Sequence, residues 1–257
     1  MTRISVVGCG NMGGAFIKGL AGSEHTVTAC DVDESVLAAI EPYCESTTTD
    51  SAVAAEAEVV VLAVKPDLVE PILSDLDLSA DQTLISIAAG VPTNLIEPQT
   101  DAHVVRIMPN LAAQYGMMAA AVTESTVTDD VRAILDDVGE FVEIPESKMD
   151  IATAVNGSGP AFVFYLLGAM ANAGVDGGLD PEDARTLAAQ TFKGAAETVL
   201  QSDDSIEELI DAVCSPNGTT IEGMESLWDS DVVTEIATAV AAAERRSKEL
   251  AQDPTDE

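Results

Sequence analysis

"VVGCGNMGGAF", residues 6–16, sets glycines at positions 8, 10 and 13 between an apolar run and the start of a helical pattern. GxGxxG spacing directly after a strand and opening a helix has a physical purpose. Gly8 makes the tight turn, Gly10 lets a pyrophosphate approach the helix N-terminus, and Gly13 permits close helix–sheet packing. Asn11 and Met12 supply first-turn amides at the same helix start. The stretch predicts dinucleotide binding; the alternative is a purely structural glycine-rich turn.

Working outward, Asp31 ends the second strand pattern about 20 residues on, where a carboxylate accepts hydrogen bonds from an adenosine ribose. A carboxylate there would repel a 2′-phosphate and so favours NADH over NADPH, unless Asp31 is one more surface acid. "LAVKP", residues 62–66, closes a buried strand, and in a doubly wound sheet that strand end faces the cofactor crevice. Ala63, Val64, Lys65 and Pro66 are thus candidate cofactor contacts, and Ala88 and Ala89 end the next strand in the same way.

Residues 1 to about 144 alternate short apolar runs ("RISVVG", "TVTACD", "EVVVLAV", "TLISIAA", "HVVRIM", "MMAAAV", "EFVEI") with helical segments. Continuous apolar strands alternating with helices predict a mostly parallel sheet covered on both faces, a Rossmann-like α/β domain over 1–147. Beyond "IPESKMD" the strands stop, and every later segment carries helical spacing. The second domain, 148–257, is therefore expected to be all-helical.

A chain of 257 residues with 47% hydrophobic and only 4% aromatic residues must build its core from Ala, Val, Ile and Leu. Its formal net charge of −34 comes from 45 acids against 11 bases. Such a field repels nucleic acid and anionic membranes, so neither is an expected partner. Molar salt would screen the self-repulsion, which points to a halophilic setting. Cys9, Cys30, Cys44 and Cys214 show no CxxC pairing, the start runs straight into a strand pattern, and no apolar run reaches membrane-spanning length. The expected location is cytoplasmic.

A nicotinamide enzyme needs a hydride acceptor and a proton source. His25 and His103 border strands and read as structural, no metal-ligand spacing occurs, and residues 149–192 contain no Lys to serve as an acid. Two polar helix starts remain, "NGSGP" (156–160) and "CSPNGTTIEG" (214–223). In the second, the hydroxyls and glycine read either as an N-cap or as an anion cradle. Backbone donors without a strong acid suit a substrate that is already a protonated imine.

Over its full length the chain resembles the pyrroline-5-carboxylate reductases. "DAVCSPNGTTIEGMESL" is similar to that family's C-terminal signature, and "GCGNMGGA", "AVKP", "SIAAGV", "MPN" and "GSGPAFVF" follow in family order. The resemblance implies a Rossmann domain with a helical dimerisation domain, a homodimer or larger assembly, and reduction of 1-pyrroline-5-carboxylate to L-proline with NADH or NADPH. It also implies that Gly218, Thr219 and Thr220, with Ser215 beside them, hold the substrate carboxylate, and that the Thr220 hydroxyl reaches the ring nitrogen. Glu146 falls where the family often has an acid near the substrate. Leu111, Asn217 and Phe162 depart from the family pattern and bear on fine substrate geometry. A reductase of another cyclic imine and a catalytically silent dinucleotide-binding regulator are the alternatives.

Overall fold

The computed structural model describes residues 1–252. Positions 253–257 of the expected second domain lie outside the described residues. Eight strands, β1 (Arg3–Val7), β2 (Thr26–Cys30), β3 (Ser46–Thr48), β4 (Val59–Leu62), β5 (Thr83–Ser86), β6 (His103–Met108), β7 (Met118–Thr123) and β8 (Gly139–Ile144), form one sheet. Their order is β3-β2-β1-β4-β5-β6-β7-β8. Every pairing is parallel except β6 with β7. Seven of these strands lie where the apolar runs predict them. β3 does not, because Ser-Thr-Thr carries no apolar alternation and the strand is a short edge held by its neighbour β2.

Helices α1 (Asn11–Leu20), α2 (Glu34–Ile40), α3 (Ser51–Ala54), α4 (Val69–Asp75), α5 (Thr93–Ile96) and α6 (Asp129–Val138) connect the strands. Phe16, Ile17 and Leu20 of α1 and Ile134 and Leu135 of α6 share one apolar cluster with Ile4, Val6, Val105 and Ile107 of the sheet. Leu73 of α4 and Ile96 of α5 share another with Val60, Leu62 and Leu84. Burial on both faces explains why the strands read as unbroken apolar runs. The strand order reverses at β1 and β4, so the crevice at their C-terminal ends is where this architecture binds ligands.

The remaining helices are α7 (Met149–Ala152), α8 (Gly159–Asp176), α9 (Pro181–Gln201), α10 (Ile206–Val213), α11 (Thr219–Trp228) and α12 (Val232–Gln252). Contacts divide the chain into a first unit, Met1–Ser158 with the segment from Val240 onward, and a second, Gly159–Ala239. The first unit thus runs past the expected end at 147 and takes back the end of α12. Two asparagines explain the former. Asn156 Nδ2 donates to the carbonyls of Met108 (2.6 Å) and Ala119 (2.9 Å), and Asn110 Nδ2 donates to the Asn156 carbonyl at 3.1 Å. At the other end, Ser247 is buried and its Oγ donates to Asp150 Oδ1 at 2.7 Å.

Within the helical stretch Glu146–Asp176 an 18-residue window has a mean hydropathy of 1.2, so the stretch is long and apolar enough, by length and composition alone, to cross a membrane. That corrects the expectation that no run reaches such a length: interrupting Gly, Ser and Asn residues hide it when only unbroken apolar runs are counted.

Candidate active site

The glycine-rich turn is fixed by its backbone. Gly8 has φ +90°, and a Cβ there would lie 2.6 Å from the Ala63 carbonyl oxygen and 2.7 Å from Val64 Cγ1. At Gly13 a Cβ would come within 1.9 Å of the Gly8 carbonyl oxygen, so α1 packs backbone to backbone against the turn. Gly10 differs from both. Its φ of −62° suits any residue, and a Cβ there would meet nothing within 4 Å. No side chain caps α1 at Gly10 and no acid occupies its first turn, which leaves the amides of Asn11, Met12 and Gly13 at the positive end of the helix. This cradle would be filled by a methyl group, and its chemistry fits a dinucleotide pyrophosphate.

Asp31 braces the turn from below. Its Oδ2 accepts from the Cys9 amide at 2.7 Å and its Oδ1 from the Asp33 amide at 3.0 Å. Each carboxylate oxygen keeps further acceptor capacity, so a ribose hydroxyl is still accommodated. Lys65 is exposed just after β4 and precedes the 3₁₀ turn Pro66–Leu68. Ala88 is buried, Ala89 packs against Met108, Ala121 and Met149, and Gly90 turns the chain at φ +70°. Burial, reinforced by Asp31, pushes the Cys9 thiol up to about 12, and the same causes push Cys30 up to about 11. Both are neutral thiols near pH 7 and not nucleophiles.

Sequence reasoning missed the buried ion pair of this unit. Arg106, 3% exposed on β6, donates from Nη1 to Glu146 Oε1, and the Thr123 hydroxyl donates to Glu146 Oε2 at 2.6 Å. Arg106 Nε is buried without a partner among the described residues. Both oxygens of Glu146 are therefore engaged, as counter-charge to a guanidinium that burial would otherwise destabilise. One signal was available: Arg106 is the single charge inside the apolar run "VVRIM". "NGSGP" is also not a free helix start. Asn156 and Gly157 lie in a π-helical turn, Thr153–Gly157, and the Asn156 amide is spent on the sheet. The histidines are structural, His25 Nδ1 accepting from the Thr2 amide (3.3 Å) and His103 Nε2 lying 2.7 Å from the Thr126 carbonyl.

In the second unit, "SPNGTT" forms a β-turn in which the Gly218 amide donates to the Ser215 carbonyl at 2.9 Å. Asn217 has φ +59°, the left-handed position of a type II turn, which Asn tolerates almost as Gly does. Its departure from the family's glycine therefore preserves the turn. Gly218 is the N-cap of α11, and a Cβ there would sit 2.3 Å from Ser215 Oγ. No side chain caps this helix, so the N-cap alternative is not realised. The amides of Thr219, Thr220 and Ile221 are left to another acceptor.

Each unit therefore offers an uncapped helix start with glycine-lined access. A family model described as pyrroline-5-carboxylate reductase dimerisation matches residues 146–250, and one described as NADP oxidoreductase, coenzyme F420-dependent, matches residues 3–90. The pyrroline-5-carboxylate reductase of Methanosarcina acetivorans is 38% identical over 96% of this chain and 97% of its own length. The chain belongs to the pyrroline-5-carboxylate reductase family. The Kluyveromyces lactis member of that family is 34% identical over 97% of this chain and 98% of its own. Among solved structures, the Coxiella burnetii reductase superposes with a TM-score of 0.86 at 31% identity, covering 97% of this chain and 98% of that one. The Plasmodium falciparum reductase, solved with NADP bound, gives 0.84 at 28% identity with the same coverage. In this reductase the dimerisation match begins at Glu146, close to the expected boundary, although contacts hold residues as far as Ser158 with the sheet.

Proposed function

We propose that the chain reduces 1-pyrroline-5-carboxylate to L-proline, the last step of proline biosynthesis, with Thr220 as its catalytic hydroxyl. The observation that carries the site assignment is the start of α11: uncapped amides, a glycine N-cap and two adjacent hydroxyls. The amides of Thr219, Thr220 and Ile221 hold the substrate carboxylate, assisted by the helix dipole, with Gly218 and Ser215 shaping the approach. The Thr220 hydroxyl bonds the ring nitrogen. The nicotinamide group, when bound, supplies a hydride to the imine carbon. The C=N electron pair then becomes the lone pair of an amine whose proton the iminium nitrogen already carries, so no strong acid is required.

Gly8, Gly10, Asn11, Met12 and Gly13 seat the pyrophosphate. Ala63, Val64, Lys65, Pro66, Ala88 and Ala89 line the approach to the nicotinamide. Asp31 accepts from the adenosine ribose and opposes a 2′-phosphate, which favours NADH. Glu146, paired with Arg106 and Thr123, is kept as the acid that the family resemblance assigns to the substrate.

A homodimer is the smallest assembly we infer, since Phe164 (69% exposed) and Tyr165 (80%) of α8 need a cover that unit 2 does not provide. The charge of −34 supports a halophilic, cytoplasmic setting without nucleic acid or membrane partners, and the four cysteines are free thiols. Oxidation of NADH and of NADPH with 1-pyrroline-5-carboxylate in molar KCl tests the assignment. Stoichiometric L-proline is expected; no turnover with either cofactor would overturn it.

A further inference from the structure

A glycine is explained within its own chain when its φ is left-handed or when atoms crowd the place of its Cβ. Gly10 has neither explanation, and it is the position where the dinucleotide fingerprint needs bare backbone. The same two criteria applied to the second unit leave Gly159, Gly168, Gly194 and Gly223, where a Cβ would meet nothing within 4 Å and φ is not positive. Gly159 opens α8, where glycine costs little. Gly168 and Gly194 lie inside α8 and α9, long helices with exposed apolar side chains, on the surface for which the homodimer proposed above would provide the cover.

Gly223 is different. It lies inside the ten-residue helix α11, where only proline is a poorer choice, so the helix gains nothing from it. It follows Thr219 by four residues and Thr220 by three, which places it on their face one turn further along. Side chains on a helix lean toward its N-terminus, so any group at position 223 would lie over the turn that carries both hydroxyls.

We infer that Gly223 is a specificity-determining residue, keeping the surface beside Thr219 and Thr220 bare so that a saturated or imine ring bearing a carboxylate seats there. The inference rests on α11 being the substrate cradle. It also sets the size of substrate: a compact five-membered ring fits against bare backbone, and a side chain at 223 narrows the choice further.

Gly223→Ala and Gly223→Leu form a graded test, since both replacements favour the helix. The expected result is a Tm unchanged or raised by about 2–4 °C. With it, KM for 1-pyrroline-5-carboxylate and Kd for L-proline, measured by calorimetry, should rise a few-fold in the Ala variant and at least tenfold in the Leu variant. NADH affinity and sedimentation should not move. An unchanged KM and Kd in Gly223→Leu would overturn the inference, and so would a shift to a smaller species with a lowered Tm, which would assign the bare surface to a partner chain. Thr220→Ala, run alongside, separates the levels. If it leaves turnover intact, the cradle itself is wrong; if it slows turnover while Gly223→Leu leaves KM alone, only the role of Gly223 falls.

Discussion

The first unit buries Phe16, Ile17, Leu20, Leu62, Ile85 and Ile134 almost completely, whereas in the second Ala184 and Ala188 are the only buried side chains among the described residues. Both units are built from apolar sequence, and α8 is the most apolar of the three long helices. The difference lies in what the chain can reach. A parallel sheet covered on both faces closes its core within one chain, while a few helices expose whatever faces away from their neighbours. A large exposed apolar surface on a folded protein marks an interface. The first unit thus closes its core within one chain, and the second leaves most of its apolar helix faces exposed, which is why we propose a second copy as their cover.

Substitutions should follow that division, with stability set in the first unit and rate in the second. The largest effect is expected from Arg106→Met, which leaves Glu146 without its cation. Breaking a buried pair costs about 3–5 kcal/mol. Thermal unfolding should show a drop of well over 5 °C, and an unchanged Tm would mean that the pair does not anchor the turn into α7. Thr220→Ala should leave Tm and NADH binding intact while lowering kcat by about one to three powers of ten, as for a lost transition-state hydrogen bond. An unchanged rate would remove the hydroxyl from the chemistry. The smallest effect belongs to Asp31→Ser, expected to shift the kcat/KM ratio of NADH to NADPH about tenfold toward NADPH, roughly 1.4 kcal/mol. A wild type that already prefers NADPH would show that bracing the Cys9 amide is the main work of Asp31.

What could be read from the sequence was local. Gly8, Gly10 and Gly13 act through spacing within one turn, and seven strands announced themselves as apolar runs. β3 did not, having no hydrophobic period to detect. The partners Arg106 and Glu146 stand 40 residues apart, and Asn156 reaches a carbonyl 48 residues back, so neither link has a sequence pattern. At "SPNGTT" the sequence left cap and cradle open. The structure shows no side-chain capping bond at α11 and a left-handed Asn217 in the turn before it, and both are properties of backbone geometry that the sequence does not print.

The incompleteness of the second unit is tested most directly by sedimentation velocity and NADH oxidation measured on the same samples across a KCl series. Two copies at −34 each repel over long range in dilute buffer, but at molar salt the Debye length falls to about 3 Å and contact becomes favourable. The dimer, or a larger assembly of dimers, and the activity should appear together as salt rises. A folded, fully active monomer at low salt would contradict the claim that α8 and its neighbours require a second copy.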